Sequence, residues 1–302
     1  MLAIVIPYYK LSFFEETLQS LSNQTDKRFK VYIGDDASPQ NPCEIIEKYK
    51  SKFDLEYYYF EKNLGGNSLT KQWGRCISLT DKEEWILLLG DDDYISPNFV
   101  EEFYNHLEKV NQLKINVIHF SVFIDKEGVL SKLFTHPRIE SSKDNFFRKF
   151  FGGAHGSLSE QIFKKEMYLK RGFRNLPLAW GADDLAWLEF SDFGDLYGIN
   201  EANTYFRISS ENISRSGFQS EVKKETKNSL FKLIIDEYLY KFNKEQRLKL
   251  ILHYQSLRYR YHKVSLSLFL KMCKLFLIEK EYKNIYKAAR KLLSYYIKKW
   301  KR

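Results

Sequence analysis

The stretch Leu87-Leu88-Leu89-Gly90-Asp91-Asp92-Asp93-Tyr94-Ile95-Ser96-Pro97 sets three consecutive carboxylates directly behind an apolar run, Trp85 to Leu89. The run has the length and composition of a buried strand, and Gly90 marks its end. Three like charges at a strand end repel one another unless water or a cation spreads the charge, and hard divalent cations prefer oxygen ligands of this kind. One reading is therefore a metal-assisted site. The other is an acidic turn leading through Pro97 into a helix that opens at Asn98. Local spacing leaves both open.

Upstream, Leu2 to Ile6 is a short β-rich run closed by Pro7, and Lys30 to Ile33 is a second, broken by Gly34-Asp35-Asp36. Leu55 to Phe60 makes a third. Between them, Phe13, Phe14, Leu18 and Leu21 recur at helical spacing after Ser12, and Pro42 to Phe53 reads as another helix. Strand alternating with helix predicts a largely parallel, three-layer α/β sheet, in which ligands bind beyond the carboxyl ends of the strands. Four polar loops share that address: Pro7-Tyr8-Tyr9-Lys10, Asp35-Asp36-Ala37-Ser38, Asn63-Leu64-Gly65-Gly66-Asn67 and the triple Asp. This common address favours a functional role for the carboxylates.

Taken in order, these segments resemble the inverting family 2 glycosyltransferases of the GT-A fold. Members open with strand-Pro-x-Tyr-Asn, then show Val-Asp-Asp-x-Ser, Asn-x-Gly, and Leu-Asp-x-Asp-Asp followed by Pro. Matching positions are Pro7 and Tyr9, Asp35 to Ser38, Asn63 and Gly65, and Asp92-Asp93 with Pro97. The resemblance implies a nucleotide-sugar donor bordered by Pro7, Tyr8 and Tyr9, a base bonded by Asp36 in a pocket shaped by Asp35, and close backbone approach at Asn63, Gly65 and Gly66. It places Asp91 and Asp92 on the donor, and Asp93 with Asp92 on an Mn²⁺ or Mg²⁺ ion. Two positions depart from the pattern. The usual first Asp aligns with Gly90, and Lys10 stands where Asn is expected.

Farther on, Ile115 to Ile124 reads as a long strand, Asp125 to Gly128 as a turn and Phe146 to Phe151 as helical. Phe173 to Trp187 resembles the family segment in which a Phe-Pro stretch precedes Glu-Asp at a helix start, the Asp being the catalytic base. Here the pair is Asp183-Asp184, which implies Asp184 as base with Asp183 in support. Asp at a helix start also caps free backbone N–H groups, so capping is the competing reading. His155 in Gly152-Gly153-Ala154-His155-Gly156 and Trp180 are candidates for the acceptor side. In the family's closing Arg-x-His segment, Ser209 replaces the His, which leaves Arg207 or Arg215 for the diphosphate.

The net charge of +9 is unevenly placed. Residues 219–302 carry 22 Lys and Arg against 7 Asp and Glu, whereas residues 1–218 carry 26 against 32. This suggests a GT-A domain over 1–218 and a basic helical region over 219–302 that meets an anionic surface. From Glu221 onward there is no proline or glycine. Ile285, Ala289, Leu292, Leu293, Tyr296 and Trp300 share a helix face among many Lys and Arg, as in an interfacial helix at an anionic membrane, though such helices also pair with a second copy of the chain. Cys43, Cys76 and Cys273 fit no zinc or disulfide framework and read as inert core thiols in a reducing cytoplasm. No run is long and apolar enough to span a membrane, so the expected location is cytoplasmic or peripheral at the inner face of the plasma membrane.

The resulting expectation is a metal-dependent enzyme that moves a hexose or N-acetylhexosamine from a nucleotide sugar, of UDP type, to a saccharide or lipid-linked acceptor, without nucleic acid. A sugar nucleotidyltransferase would ordinarily carry a Gly-rich, Lys- or Arg-containing loop after the first strand, and Pro7 to Ser12 has no glycine. A non-enzymatic nucleic-acid binder using the basic helices would show strongly salt-dependent binding.

Overall fold

In the computed structural model, which describes residues 1–209, 220–261 and 264–300, the chain divides into two compact units, Met1–Gln219 and Ser220–Arg302. In the first unit the order is β1 (Leu2–Tyr8), α1 (Phe14–Ser22), β2 (Phe29–Asp35), α2 (Cys43–Tyr49), β3 (Asp54–Tyr59), α3 (Leu69–Ile77), β4 (Trp85–Leu88), β5 (Tyr94–Ile95) and α4 (Phe99–Gln112). It continues with β6 (Val117–Lys126), β7 (Val129–Leu130), β8 (Ile139–Ser141), α5 (Ser142–Gly152), β9 (Gln161–Lys164), α6 (Lys165–Arg171), α7 (Ala182–Phe190) and β10 (Asp195–Ile208).

The sheet runs β3-β2-β1-β4-β9-β6-β10-β5, with β7 on β6 and β8 on β10. Strands β1 to β4 pair in parallel, as do β6 and β10, while β9 lies antiparallel between β4 and β6. The parallel left half follows from the strand–helix alternation. The four-residue β9 was not anticipated, because Gln161-Ile162-Phe163-Lys164 is too short to show a period.

Period-two alternation in β1 builds a core on each side of the sheet. Leu2, Ile4, Ile6 and Tyr8 face one core with Phe14, Leu18 and Leu21 of α1 and Phe99, Val100 and Phe103 of α4. Ala3 and Val5 face the other, with Cys76 and Ile77 of α3 and Ala186, Trp187 and Phe190 of α7. The helices are therefore on both faces, and the architecture is the expected three-layer GT-A type with a helical C-terminal region. Several boundaries shift. The helix read over Pro42 to Phe53 is confined to α2, and the strand read over Ile115 to Ile124 runs on to Lys126, where Glu127 and Gly128, both at positive φ, turn the β6–β7 hairpin.

Two readings are corrected here. Tyr8 is fully buried, packs on Phe14 and donates its hydroxyl to the Gln40 carbonyl, so the pleat turns it into the core and away from a donor. Cys43 at the start of α2 is exposed, and Cys273 is half-buried, leaving Cys76 as the one core thiol among the described residues.

The second unit contains α8 (Ser220–Leu233), α9 (Lys244–Arg260), α10 (Leu266–Ile278) and α11 (Tyr282–Trp300). Asn243 and Gln246 form a reciprocal capping box at α9, and Arg247 clasps Glu279 across the unit. On α11, Ala288 is buried and Ile285, Ala289 and Leu292 are half-buried. Three residues of the stripe read as interfacial are thus turned largely inward. The exposed arc instead carries Tyr282, Tyr286, Leu293, Tyr296 and Ile297 beside Lys283, Lys287, Arg290 and Lys291. No helix among the described residues is long and apolar enough to cross a membrane.

His119 of β6 and His136 stack with centroids 4.2 Å apart, both buried, and neither ring nitrogen of His119 has a hydrogen-bond partner among the described residues. Burial holds both imidazoles neutral, His119 well below the ordinary value of 6.5. Below that pH the unfolded chain takes up protons that the native state refuses. Stability should therefore be full above about pH 6.5 and fall on acidification toward about pH 5, by up to about 1.4 kcal/mol per pH unit for each histidine. Urea denaturation across this range measures the slope, and His119→Phe should flatten it.

Candidate active site

Parallel pairing brings the carboxyl ends of β1, β2, β3 and β4 to one edge, and the four polar loops meet there. Asp36 is buried, and its carboxylate accepts the N–H groups of Leu64 (2.6 Å) and Gly65 (2.8 Å) and pairs with Arg75 of α3. Arg75 also donates to the Lys62 carbonyl and lies 3.9 Å over the Phe60 ring. Asn63 bonds the Asp36 carbonyl and accepts the Gly66 N–H at 2.8 Å. A Cβ on Gly65 would stand 2.5 Å from Asp36 Oδ2, and one on Gly66 2.5 Å from Asn63 Oδ1. These glycines thus admit Asp36 and Asn63 to the backbone, a different reason from the donor approach that the resemblance implies. Asp35 accepts the Ser38 N–H (2.8 Å) and the Tyr57 hydroxyl (2.8 Å), fixing the β2 end.

Asp91 reaches back to the first loop, where its Oδ2 accepts the N–H groups of Tyr9 (2.7 Å) and Lys10 (2.8 Å). The Ser38 hydroxyl donates to the Tyr9 carbonyl, so the Tyr9 backbone is held from both sides while its ring is 42% exposed at the edge. Pro7 is half-buried beside it.

Asp93 is buried beneath the loop. Its Oδ1 accepts the Arg207 N–H at 2.8 Å and its Oδ2 the Ser159 hydroxyl, which in turn accepts the Gly90 N–H at 3.0 Å. Burial, and then the neighbouring Asp92, push the Asp93 carboxyl well above the usual carboxylate range and that of Asp91 up to about 6. Arg207, expected near a diphosphate, is folded under this loop. Its Nε donates to the Asp92 carbonyl at 3.0 Å, it pairs with Glu16, and it lies 4.2 Å over the Phe13 ring. Arg215 lies outside the described residues.

Crowded carboxylates with an all-oxygen donor set suit a hard divalent cation, whose charge would favour their ionised forms. Among the described residues, three ligand atoms come within 4.8 Å of one another only at Glu102, His106 and Glu201. That cluster stands away from the loops, on α4 and β10, and Arg138 already pairs with its Glu201.

Asp183 and Asp184 occupy the first turn of α7. The approach is strained at Leu178 and Ala179, which take φ of 56° and 54°, while Gly181 takes 81° without that cost. Asn175 ties this segment to Ser68 (2.8 Å) and Thr70 (3.2 Å) at the start of α3, and Trp180 is 40% exposed. Asp184 is buried against the ammonium of Lys149 from α5, which also stands 3.9 Å from Asp183. Burial lifts the Asp184 carboxyl to about 7 against the opposing pull of Lys149. His155 lies 3.4 Å from the buried Glu160 and between the rings of Phe134 and Phe206.

Residues 3–170 match the model of the Glycosyl transferase family 2. The chain belongs to that family. It is 28% identical over 209 residues to an uncharacterized glycosyltransferase of Haemophilus influenzae, covering 68% of this chain and 67% of the relative. It is 27% identical over 125 residues to the Staphylococcus aureus poly(ribitol-phosphate) beta-N-acetylglucosaminyltransferase TarS, a match spanning 38% of this chain and only 21% of TarS. The GalNAc(5)-diNAcBac-PP-undecaprenol beta-1,3-glucosyltransferase of Campylobacter jejuni is 22% identical over 192 residues, 59% of this chain and 58% of that one. In fold, the crystal structure of S. aureus TarS 1-349 in complex with UDP-GlcNAc superposes with a TM-score of 0.66, covering 97% of this chain and 91% of that one at 15% identity.

The sequence reading found the family segments but missed Arg75, Lys149, Ser159 and Glu160. Arg75, Lys149 and Ser159 lie far in sequence from their partners, by 39 residues for Arg75 and Asp36 and by 66 for Ser159 and Asp93, and no local pattern marks them, whereas Glu160 meets His155 only five residues away. The loop architecture yields one direct test. Asp36→Ala strands two backbone N–H groups and the Arg75 guanidinium together. It should lower stability by about 3 kcal/mol and raise hydrogen exchange at Leu64 and Gly65.

Proposed function

We propose that this chain is an inverting glycosyltransferase that moves a hexose or N-acetylhexosamine from a UDP-type nucleotide sugar to a saccharide or lipid-linked saccharide. What carries the reading is the meeting, at one edge of the sheet, of an exposed Tyr9, the Asp36–Arg75 loop clasp and the Asp91–Asp93 turn. Support comes from TarS, solved with UDP-GlcNAc, and from the undecaprenol-linked acceptor in the name of the Campylobacter relative. Residues 1–218 would form the catalytic domain and 219–302 the basic helical region.

In this reading Pro7 and Tyr9 border the nucleobase, while Asp36, Asn63, Gly65 and Gly66 shape the wall behind it. Asp92 and Asp93 would hold an Mn²⁺ or Mg²⁺ ion, which supplies charge neutralisation for a departing nucleoside diphosphate. Asp184 takes the proton of the acceptor hydroxyl as its oxygen bonds the anomeric carbon and the bond to the diphosphate oxygen breaks. Attack from the side opposite the leaving group inverts the configuration. Asp183 supports Asp184, and His155 and Trp180 border the acceptor.

Calorimetric titration with UDP, UDP-glucose, UDP-galactose and their N-acetylamino forms, with and without Mn²⁺, tests this. One of these should bind in a metal-dependent way. Asp93→Asn should remove that dependence, and Asp184→Asn should bind donor normally but transfer at least about 100-fold more slowly. Binding of none of them would sink the reading, and full transfer by Asp184→Asn would relocate the base.

The exposed arc of α11 suits a cytoplasmic enzyme held at the inner face of an anionic membrane, with rings and aliphatic chains at headgroup depth and four cations beside them. Replacing Lys283, Lys287, Arg290 and Lys291 by Glu should weaken binding to vesicles containing phosphatidylglycerol by about 10-fold or more and leave donor affinity unchanged. Undiminished vesicle binding would reject the membrane role. A dimer lost in the variant, without vesicle binding by either form, would assign the arc to a second copy.

A further inference from the structure

Lys149 stands out as a cation set into the site by the fold. It comes from α5, whose start is capped by the Ser141 hydroxyl accepting the Asp144 N–H at 3.1 Å. Its ammonium meets Asp184 directly and lies 3.9 Å from Asp183. Gly156 makes the room. A Cβ there would come within 2.9 to 3.1 Å of Lys149 Cδ, Nζ and Cε, so any larger residue pushes on the far end of this side chain. Burial works against the charge on Lys149, yet the carboxylates of Asp184 and Asp183 outweigh it and hold the ammonium protonated.

We propose that Lys149 is a positioning residue for transfer, holding Asp184 ionised and aimed at the acceptor hydroxyl. The inference rests on the reading of Asp184 as the base. Among the described residues, the charged groups that face Asp184 are Lys149 from α5, Asp183 from its own turn and Glu160 from the segment before β9. The last two are negative and resist its ionisation, and Lys149 favours it through both its charge and its hydrogen bond. Glu160 is itself kept ionised despite burial, by its hydrogen bond with His155 and then by Lys149. A carboxylate buried beside two others would otherwise remain protonated through neutral pH and be useless as a base. Because the lysine sits across from the acidic pair on a different element, it also fixes the direction in which the carboxylate points.

The pH dependence of transfer, at saturating donor and acceptor, distinguishes this from a purely structural role. Transfer needs ionised Asp184, so the rate falls on the acid side of its pKa. Loss of the opposing charge in Lys149→Met should move that acid limb upward by about one pH unit or more. Lys149→Arg should keep the limb near its original position. Gly156→Ala, which leaves the charge in place but displaces its end, should move the limb in the same direction by a smaller amount.

Carboxyl ¹³C NMR of aspartate-labelled protein, with the Asp184 signal assigned by its absence in Asp184→Asn, reads the same shift without turnover. It serves even where Lys149→Met fails to fold, because Gly156→Ala can be titrated instead. An unchanged Asp184 titration and acid limb in Lys149→Met and Gly156→Ala, with Asp184→Asn inactive, overturns the role of Lys149. An active Asp184→Asn overturns the base assignment instead, so the two failures are told apart.

Discussion

Negative charge gathered at one edge of a sheet is the constraint on which the catalytic unit is built. Two unit charges 4 Å apart interact by about 4 kcal/mol even where partial exposure gives an effective dielectric near 20, and here Asp35, Asp36, Asp91, Asp93 and Asp184 are five of the seven aspartates on the site's loops and the first turn of α7. Each is compensated differently. Asp35 takes a hydroxyl and an N–H, Asp36 two N–H groups and a guanidinium, Asp91 two N–H groups, Asp93 a hydroxyl and an N–H, and Asp184 an ammonium. Half of these donors are backbone amides of the very loops that must be held in place. Charge compensation and loop positioning are therefore one set of hydrogen bonds.

The division of labour within Asp91-Asp92-Asp93 follows from backbone geometry. Asp91 turns back to the first loop, Asp93 turns down onto Ser159 and β10, and Asp92 is left half-exposed between them. Gly90 leaves little room at the head of this turn, because a Cβ would stand 3.0 Å from Asp93 Oδ2 and 3.1 Å from Asp92 Oδ1.

Much of the architecture was legible because its signals are local. The strands of the left half carry near-continuous apolar runs, as doubly covered parallel strands must, and the loops at their ends are short and polar. What was not legible depends on pairings remote in sequence. Nothing around Lys149 marks it among its many fellow lysines, and nothing in Gly-Ser-Leu-Ser-Glu says that Ser159 will reach Asp93. Tyr8 was misread because strand parity, which turns alternate residues to opposite faces, was not applied at the last position of β1. On α11 the helix and its charges were evident, but with apolar residues on most of its circumference the inward face could be set only by packing.

The placement of β9 bears on how the chain is made. Strands β1 to β4 are complete among themselves, and each can pair as it leaves the ribosome. β6 cannot join them directly, since its bridge to β4 is β9, whose first residue follows the end of β6 by about 35 positions. At synthesis rates of about 5–20 residues per second, β6 waits roughly 2 to 7 seconds for β9, and about twice as long for β10 on its other side, with its strongly apolar middle unpaired. That interval is when the nascent polypeptide is most open to mispairing, and to capture by a chaperone.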